Sequence, residues 1–110
     1  MSTDFVVVLC TVPEPRVGAE IARILVGRRL AACVNVVPGL TSIYRWKGEI
    51  HEDAEALMVI KTRRQNVGAL EQAIRSSHPY SVPEVVALPI GAGSAEYLSW
   101  LWTETTREPD

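Results

Sequence analysis

The chain has 110 residues, enough for a single domain (residues 1–110) that buries roughly two-thirds of its unfolded surface. Eleven Lys/Arg against thirteen Asp/Glu leave a formal charge of −2, so there is no basic footprint for nucleic acid. No run of about 18 apolar residues is present to span a membrane, and Met1-Ser2-Thr3-Asp4 lacks the charged start of a signal peptide; a cytoplasmic location is expected.

Phe5–Cys10 is a continuous apolar run that Thr11-Val12-Pro13 ends, which predicts a buried central strand. Pro15 opens a helix with Val17, Ile21, Ile24 and Leu25 at helical spacing and Arg28-Arg29 in its last turn, where cations suit the helix dipole. Two long β-rich runs follow, from about Ala32 to Trp46 and on through Arg63. Lys47-Gly48 forms the two-residue turn between them, with Gly supplying a positive φ. The first of these strands would span roughly 50 Å if straight, whereas a compact domain of this length has a radius of gyration of about 13 Å. The hairpin must bend or overhang, and Pro38-Gly39 marks the bend, since Pro removes a ladder donor and Gly permits a bulge. Asn66 is placed to cap a second helix carrying Val67, Leu70 and Ile74, which must stop before Pro79. Val85–Ile90 is a short strand. Ser94 caps a last helix with Tyr97, Leu98, Leu101 and Trp102, and the polar TETTREPD tail is expected to fray.

The order is βαββαβ plus a terminal helix, an α+β, ferredoxin-like (split βαβ) arrangement in which two helices cover one face of a four-stranded antiparallel sheet. Alternation puts Cys33, Asn35 and Val37 on one side and Ala32, Val34 and Val36 on the other. A sheet apolar on both faces with helices on one, and a hairpin tip bearing Ile43, Tyr44, Trp46 and Ile50, ask for further copies of the chain. A homo-oligomer is expected on both grounds.

In this fold the first strand lies between the third and fourth. Cys10 and Cys33 are then roughly 10 Å apart, beyond the ~7 Å that a disulfide tolerates; free cysteines in such runs commonly act as small hydrophobes. Cys10 also falls near the loop from His78 to Glu84, and a thiolate with an imidazole suits Cu(I) or Zn²⁺. The other reading has His78 merely ending its helix. In the hairpin, Trp46 faces Glu49 and Tyr44 faces His51, which sets Glu49, His51 and Asp53 on one face. Such a row either holds a divalent ion at the rim or is a charged, solvated flank. No Gly-rich phosphate loop, G-x-S-x-G, H-E-x-x-H or Cys/His cluster is present, and no catalytic residues are expected. Glu84, Lys61 and Tyr80 would make an acid/base set only if a pocket gathered them.

V-V-L-C-T-V-P, L-A-A-C-V-N-V, Y-R-W-K-G-E, L-M-V-I-K-T, H-P-Y-x-V-P-E and Y-L-S-W, in this order along nearly the whole chain, closely resemble the CutA (CutA1) family of divalent-cation tolerance proteins. The resemblance implies a non-enzymatic homotrimer with hairpins packed across subunit boundaries, similar in architecture to PII signalling proteins. It implies no obligatory cofactor, with copper or another divalent cation as candidate ligand. Cys10 and His78 match positions implicated in copper binding where relatives carry two His before Pro-Tyr; here the first is Ser77, and Ala73 stands where some relatives have a cysteine. The family also suggests an inter-subunit pocket of Tyr44, Trp46, Lys61, Tyr80 and Glu84, suited to a small anionic or amphipathic ligand. The alternative function is a PII-like sensor that relays such a ligand to an unidentified protein partner.

Overall fold

The computed structural model describes residues 4–106; Met1-Ser2-Thr3, at the start read as leaderless, and residues 107–110 of the polar tail lie outside them. The elements run β1 (Phe5–Val12), α1 (Pro15–Gly27), β2 (Cys33–Trp46), β3 (Glu49–Arg63), a 3-10 turn (Arg64–Asn66), α2 (Val67–Ser77), β4 (Val86–Pro89) and α3 (Ala95–Glu104). The sheet order is β2-β3-β1-β4, antiparallel throughout, which is the expected split βαβ topology. β4 is one residue shorter at each end than the apolar run suggests.

Strand β1 supplies the centre of the core. Val6, Val8, Cys10 and Val12 alternate onto one face, beside Ala56, Met58 and Ile60 of β3, and meet Ile21 and Leu25 of α1 and Leu70 and Ile74 of α2. Burial of each large aliphatic side chain contributes roughly 1.5–3 kcal/mol. α1 approaches closely because Gly18 has no side chain: a Cβ there would lie 3.2 Å from Val12 and 3.3 Å from Val36.

The opposite face is apolar too, but no helix covers most of it. Val37, Val86 and Leu88 are each close to half exposed, and Ile43 and Ile50 on the hairpin are 67% and 69% exposed. The hairpin bends where the sequence indicates. Val37 pairs with Leu57 but Leu40 pairs with Glu55, so one extra residue is inserted at Pro38-Gly39, with Gly39 at φ 78°. At the tip Lys47 (φ 52°) and Gly48 (φ 82°) are both left-handed, the signature of a type I′ turn. Only the glycine is foreshadowed by its residue type.

Three local expectations are corrected. Arg28 and Arg29 do not sit in the last turn of α1: the helix ends at Gly27, and Arg29 takes the left-handed conformation (φ 60°) just beyond it. Asn66 does not cap α2 through its side chain; a 3-10 turn already leads into the helix. Its buried amide instead donates to the carbonyls of Arg29 (3.3 Å) and Thr105 (3.1 Å), tying the ends of α1 and α3 together. The described part of the tail is not frayed. Thr105 is buried and its hydroxyl donates to Leu101 O at 2.7 Å.

That end is held by Arg63. Its guanidinium lies 3.5 Å from the Trp102 ring centroid, and it donates to Thr105 Oγ1 (3.0 Å), Thr106 Oγ1 (2.7 Å) and the Trp102 carbonyl. Charge-assisted bonds of this kind each contribute about 1.5–3 kcal/mol, and cation–π contact adds to them. Arg63→Ala is expected to lower stability by about 2–4 kcal/mol and to release amide exchange in α3 first. Unchanged protection of α3 in the variant would show that Leu101 packing alone holds the helix.

Candidate ligand-binding cleft at the hairpin base

The bulge at Pro38-Gly39 decides which side chains share a face beyond it. Leu40, Ser42, Tyr44 and Trp46 pair with Glu55, Asp53, His51 and Glu49 respectively, and paired residues project to the same side. The loop after α2 folds over this row and encloses a cleft of about 570 Å³, within the usual range for small-molecule sites. Thr11 lies at its floor, Tyr44 and Trp46 on the hairpin side, Asp53 and Glu55 on β3, and Tyr80 and Glu84 on the loop.

Pairing of phenols with carboxylates organises the cleft. The Tyr80 hydroxyl donates to Glu55 Oε2 at 2.5 Å, and the Tyr44 hydroxyl donates to Asp53. Burial and then the Glu55 contact push the Tyr80 phenol well above its ordinary range; for Tyr44 the Asp53 hydrogen bond is the leading cause of an upward shift. Both phenols therefore remain neutral donors at physiological pH. Tyr44 also stacks on His51, centroids 5.4 Å apart. With Asp53 drawn to Tyr44 and His51 stacked, the Glu49–His51–Asp53 row is not gathered around a metal position; among the described residues no three His, Cys, Asp or Glu side chains are.

Cys10 and His78 are neighbours, as the topology requires, but neither is presented to solvent. Cys10 is fully buried on the helix side of β1. Burial, with Glu84 and Glu55 nearby, pushes its thiol up to about 12, against the thiolate that a metal needs. His78 is 8% exposed and both ring nitrogens are engaged. Nδ1 accepts from the Tyr80 N–H (3.1 Å), so Nε2 carries the proton and donates to the Thr11 carbonyl (2.8 Å). The imidazole thereby fastens the loop to β1 and positions Tyr80. Ser77 turns its hydroxyl back to the Ala73 carbonyl at 2.9 Å.

Of the residues expected in a pocket, the fold brings Tyr44, Trp46, Tyr80 and Glu84 together within one chain. Lys61 stands apart. It lies six residues from Glu55 along β3, roughly 20 Å, and donates to Asn35 Oδ1. Asp53 and Glu55 take its place in the cleft, which makes the lining acidic. Glu55 carries little local signal, because its role depends on Tyr80, 25 residues away; in sequence it is a carboxylate beside the apolar run that starts at Ala56.

The fold and this cleft define a ferredoxin-like α+β protein whose long bulged hairpin carries a concave aromatic and acidic site. The chain belongs to the CutA1 divalent ion tolerance protein family, whose model matches residues 6–104. It is 56% identical to the divalent-cation tolerance protein CutA of Thermus thermophilus over 90% of this chain and 96% of that one. It is 55% identical to mouse protein CutA over 83% of its length, where the match spans 51% of the mouse protein. The solved structure of the Thermus thermophilus divalent cation tolerance protein (Cut A1) superposes with a TM-score of 0.91 at 54% identity, covering 93% of this chain and 99% of that chain. Among the described residues no helix is long and apolar enough to cross a membrane.

The protonated Cys10 thiol stabilises the fold fully below the unfolded-state value of 9.0, and that contribution is lost as pH rises towards about 12. Accordingly, Cys10 is expected to resist iodoacetamide at pH 9 in the folded protein and to react fully in denaturant, as read by peptide mass. Alkylation of native Cys10 at the rate of a free thiol would show that the site opens.

Proposed function

We propose that this chain is a non-enzymatic homotrimer acting in tolerance of divalent cations, and that it reads a small ligand in the hairpin-base cleft, which neighbouring subunits complete. The half-covered sheet carries the proposal. Val37, Val86 and Leu88 on the bare face and Ile43 and Ile50 on the hairpin are separate apolar patches. Packing the hairpin of one copy on the bare face of the next is a head-to-tail contact, and such contacts close into rings. Three copies is the state that the family resemblance implies, and the relatives' names supply the physiological setting. An acid/base role for Glu84, Lys61 and Tyr80 gains no support within one chain, where Lys61 donates to Asn35 and does not line the cleft.

Ligand reading in the manner of PII proteins is favoured over direct copper capture by the state of Cys10 and His78. Copper binding there requires that the thiol ionise in an apolar site and that the imidazole leave Thr11. Copper titration is therefore expected to give equal affinity for the wild type, Cys10→Ser and His78→Ala. A loss of tenfold or more in both variants would instead assign copper to this pair.

Native mass spectrometry of the untagged protein is expected to give three chains. Tyr44→Asp combined with Trp46→Asp is expected to give aggregated or unfolded chain, because the hairpin loses its cover. A stable, monodisperse monomer from that double variant would overturn the assembly.

A further inference from the structure

The sheet divides the apolar interior into two unequal parts. The main core lies between the sheet, α1 and α2. Phe5 alternates to the other face, where with Ala32 and Leu101 it forms a second, small cluster against which Ile90 and Leu98 pack. The Trp102 ring meets Phe5 edge-on, centroids 5.9 Å apart. Of the ten residues of α3 only Leu101 is buried. An element with so little apolar burial opens locally at a lower free energy than the core beside it.

Polar anchors of α3 are concentrated at its far end. Arg63 donates to the Trp102 carbonyl, Thr105 Oγ1 and Thr106 Oγ1, and the Asn66 amide donates to the Thr105 carbonyl. Arg29 donates to the Thr103 and Glu104 carbonyls, both at 3.4 Å, and lies 3.6 Å from the Glu104 carboxylate. The near end is built differently. The Ile90 N–H is fixed to the Phe5 carbonyl at 2.9 Å, the helix starts at its local Ser94 cap, and Gly91-Ala92-Gly93 runs between them. Nothing lies within 4 Å of where a Cβ on Gly91 would stand, so that residue has both open space and the backbone freedom of glycine. A short flexible link at one end and a multi-donor clasp at the other are the parts of a hinged lid.

We propose that α3 is a lid over one end of the bare face, hinged at Gly91–Gly93 and latched by Arg63, and that it opens as a unit while the main core stays closed. Beneath it Phe5 continues the apolar row of Val7 on β1, whose partner on β4 is Leu88. Opening lengthens the apolar surface on the face that the proposed assembly covers, so the latch sets how much of that face a second copy meets. The lid itself stands independently of the number of copies and of the cleft.

Hydrogen–deuterium exchange read by mass spectrometry on the wild-type protein, Arg63→Lys and Gly91→Ala tests it. Amides of α3 are expected to exchange together, about tenfold or more faster than those of β1 and β3. Arg63→Lys keeps the charge and loses the planar fork; it is expected to speed exchange in α3 by about tenfold and to leave β1 and β3 unchanged. Gly91 has no positive φ, so alanine fits there and restricts the open state, which is expected to slow α3 exchange about two- to fivefold. Equal protection of α3, β1 and β3 in the wild type would overturn the inference, as would an equal rise in all three in Arg63→Lys. Protection that merely declines along α3 towards residue 104 would overturn it too, by reducing the opening to fraying of the helix end. Unchanged or faster α3 exchange in Gly91→Ala would overturn the hinge. Native masses of the same samples keep the two proposals apart: a monomer whose α3 exchanges as a unit sustains the lid and sinks the assembly alone.

Discussion

Most of this molecule follows from a sheet that is apolar on both sides and carries its α1–α2 cover on one. β1 and β3 alternate large aliphatic residues towards α1 and α2, and the intervening positions, Val7, Leu9, Leu57 and Val59, are apolar again and partly buried. A small protein with one covered face ordinarily places polar side chains on the other. Here that freedom is given up, and apolar side chains stay exposed on the bare face and on the hairpin. The hairpin has the same character. Its tip makes few contacts with its own domain, and the molecule is accordingly elongated, 43 × 30 × 23 Å.

The bulge links that constraint to the cleft. Without the extra residue at Pro38-Gly39, the pairing of the outer hairpin would slip by one and turn Tyr44 and Trp46 away from Asp53 and Glu55. With it, aromatic and acidic residues converge, and Tyr80 reaches across from the loop. His78 contributes by fixing that loop: its two hydrogen bonds join the Tyr80 backbone to the Thr11 carbonyl. A conspicuous histidine beside a cysteine thus serves as a strut under the site, and the acidic groups above it carry the available charge.

How much could be read from the sequence depended on how local each signal was. The strand and helix order, the Lys47-Gly48 turn, the Pro38-Gly39 bend and the Ser94 cap are each written in a few adjacent residues. Tyr97 N–H donates to Ser94 Oγ at 3.2 Å as such a cap requires. Asn66 carried a misleading local signal. Its position before a helix suggests a cap, yet its amide is used by Arg29 and Thr105, distant partners that no short window contains. The cleft divides likewise. Its aromatic members were legible as an exposed apolar tip, whereas the Glu55–Tyr80 pair and the displacement of Lys61 to Asn35 emerge only when strands and loop are assembled.

Both free edges of the sheet are interrupted. β2 carries Pro38 and its bulge, and β4 is four residues long and ends in Pro89. Proline withholds a backbone donor, and a bulge twists the ladder out of line with an incoming strand. Strand-by-strand addition at either edge is therefore discouraged on this chain. Edge-to-edge addition is the geometry of open-ended fibrils, and a polypeptide this rich in exposed β-structure is thereby protected against it.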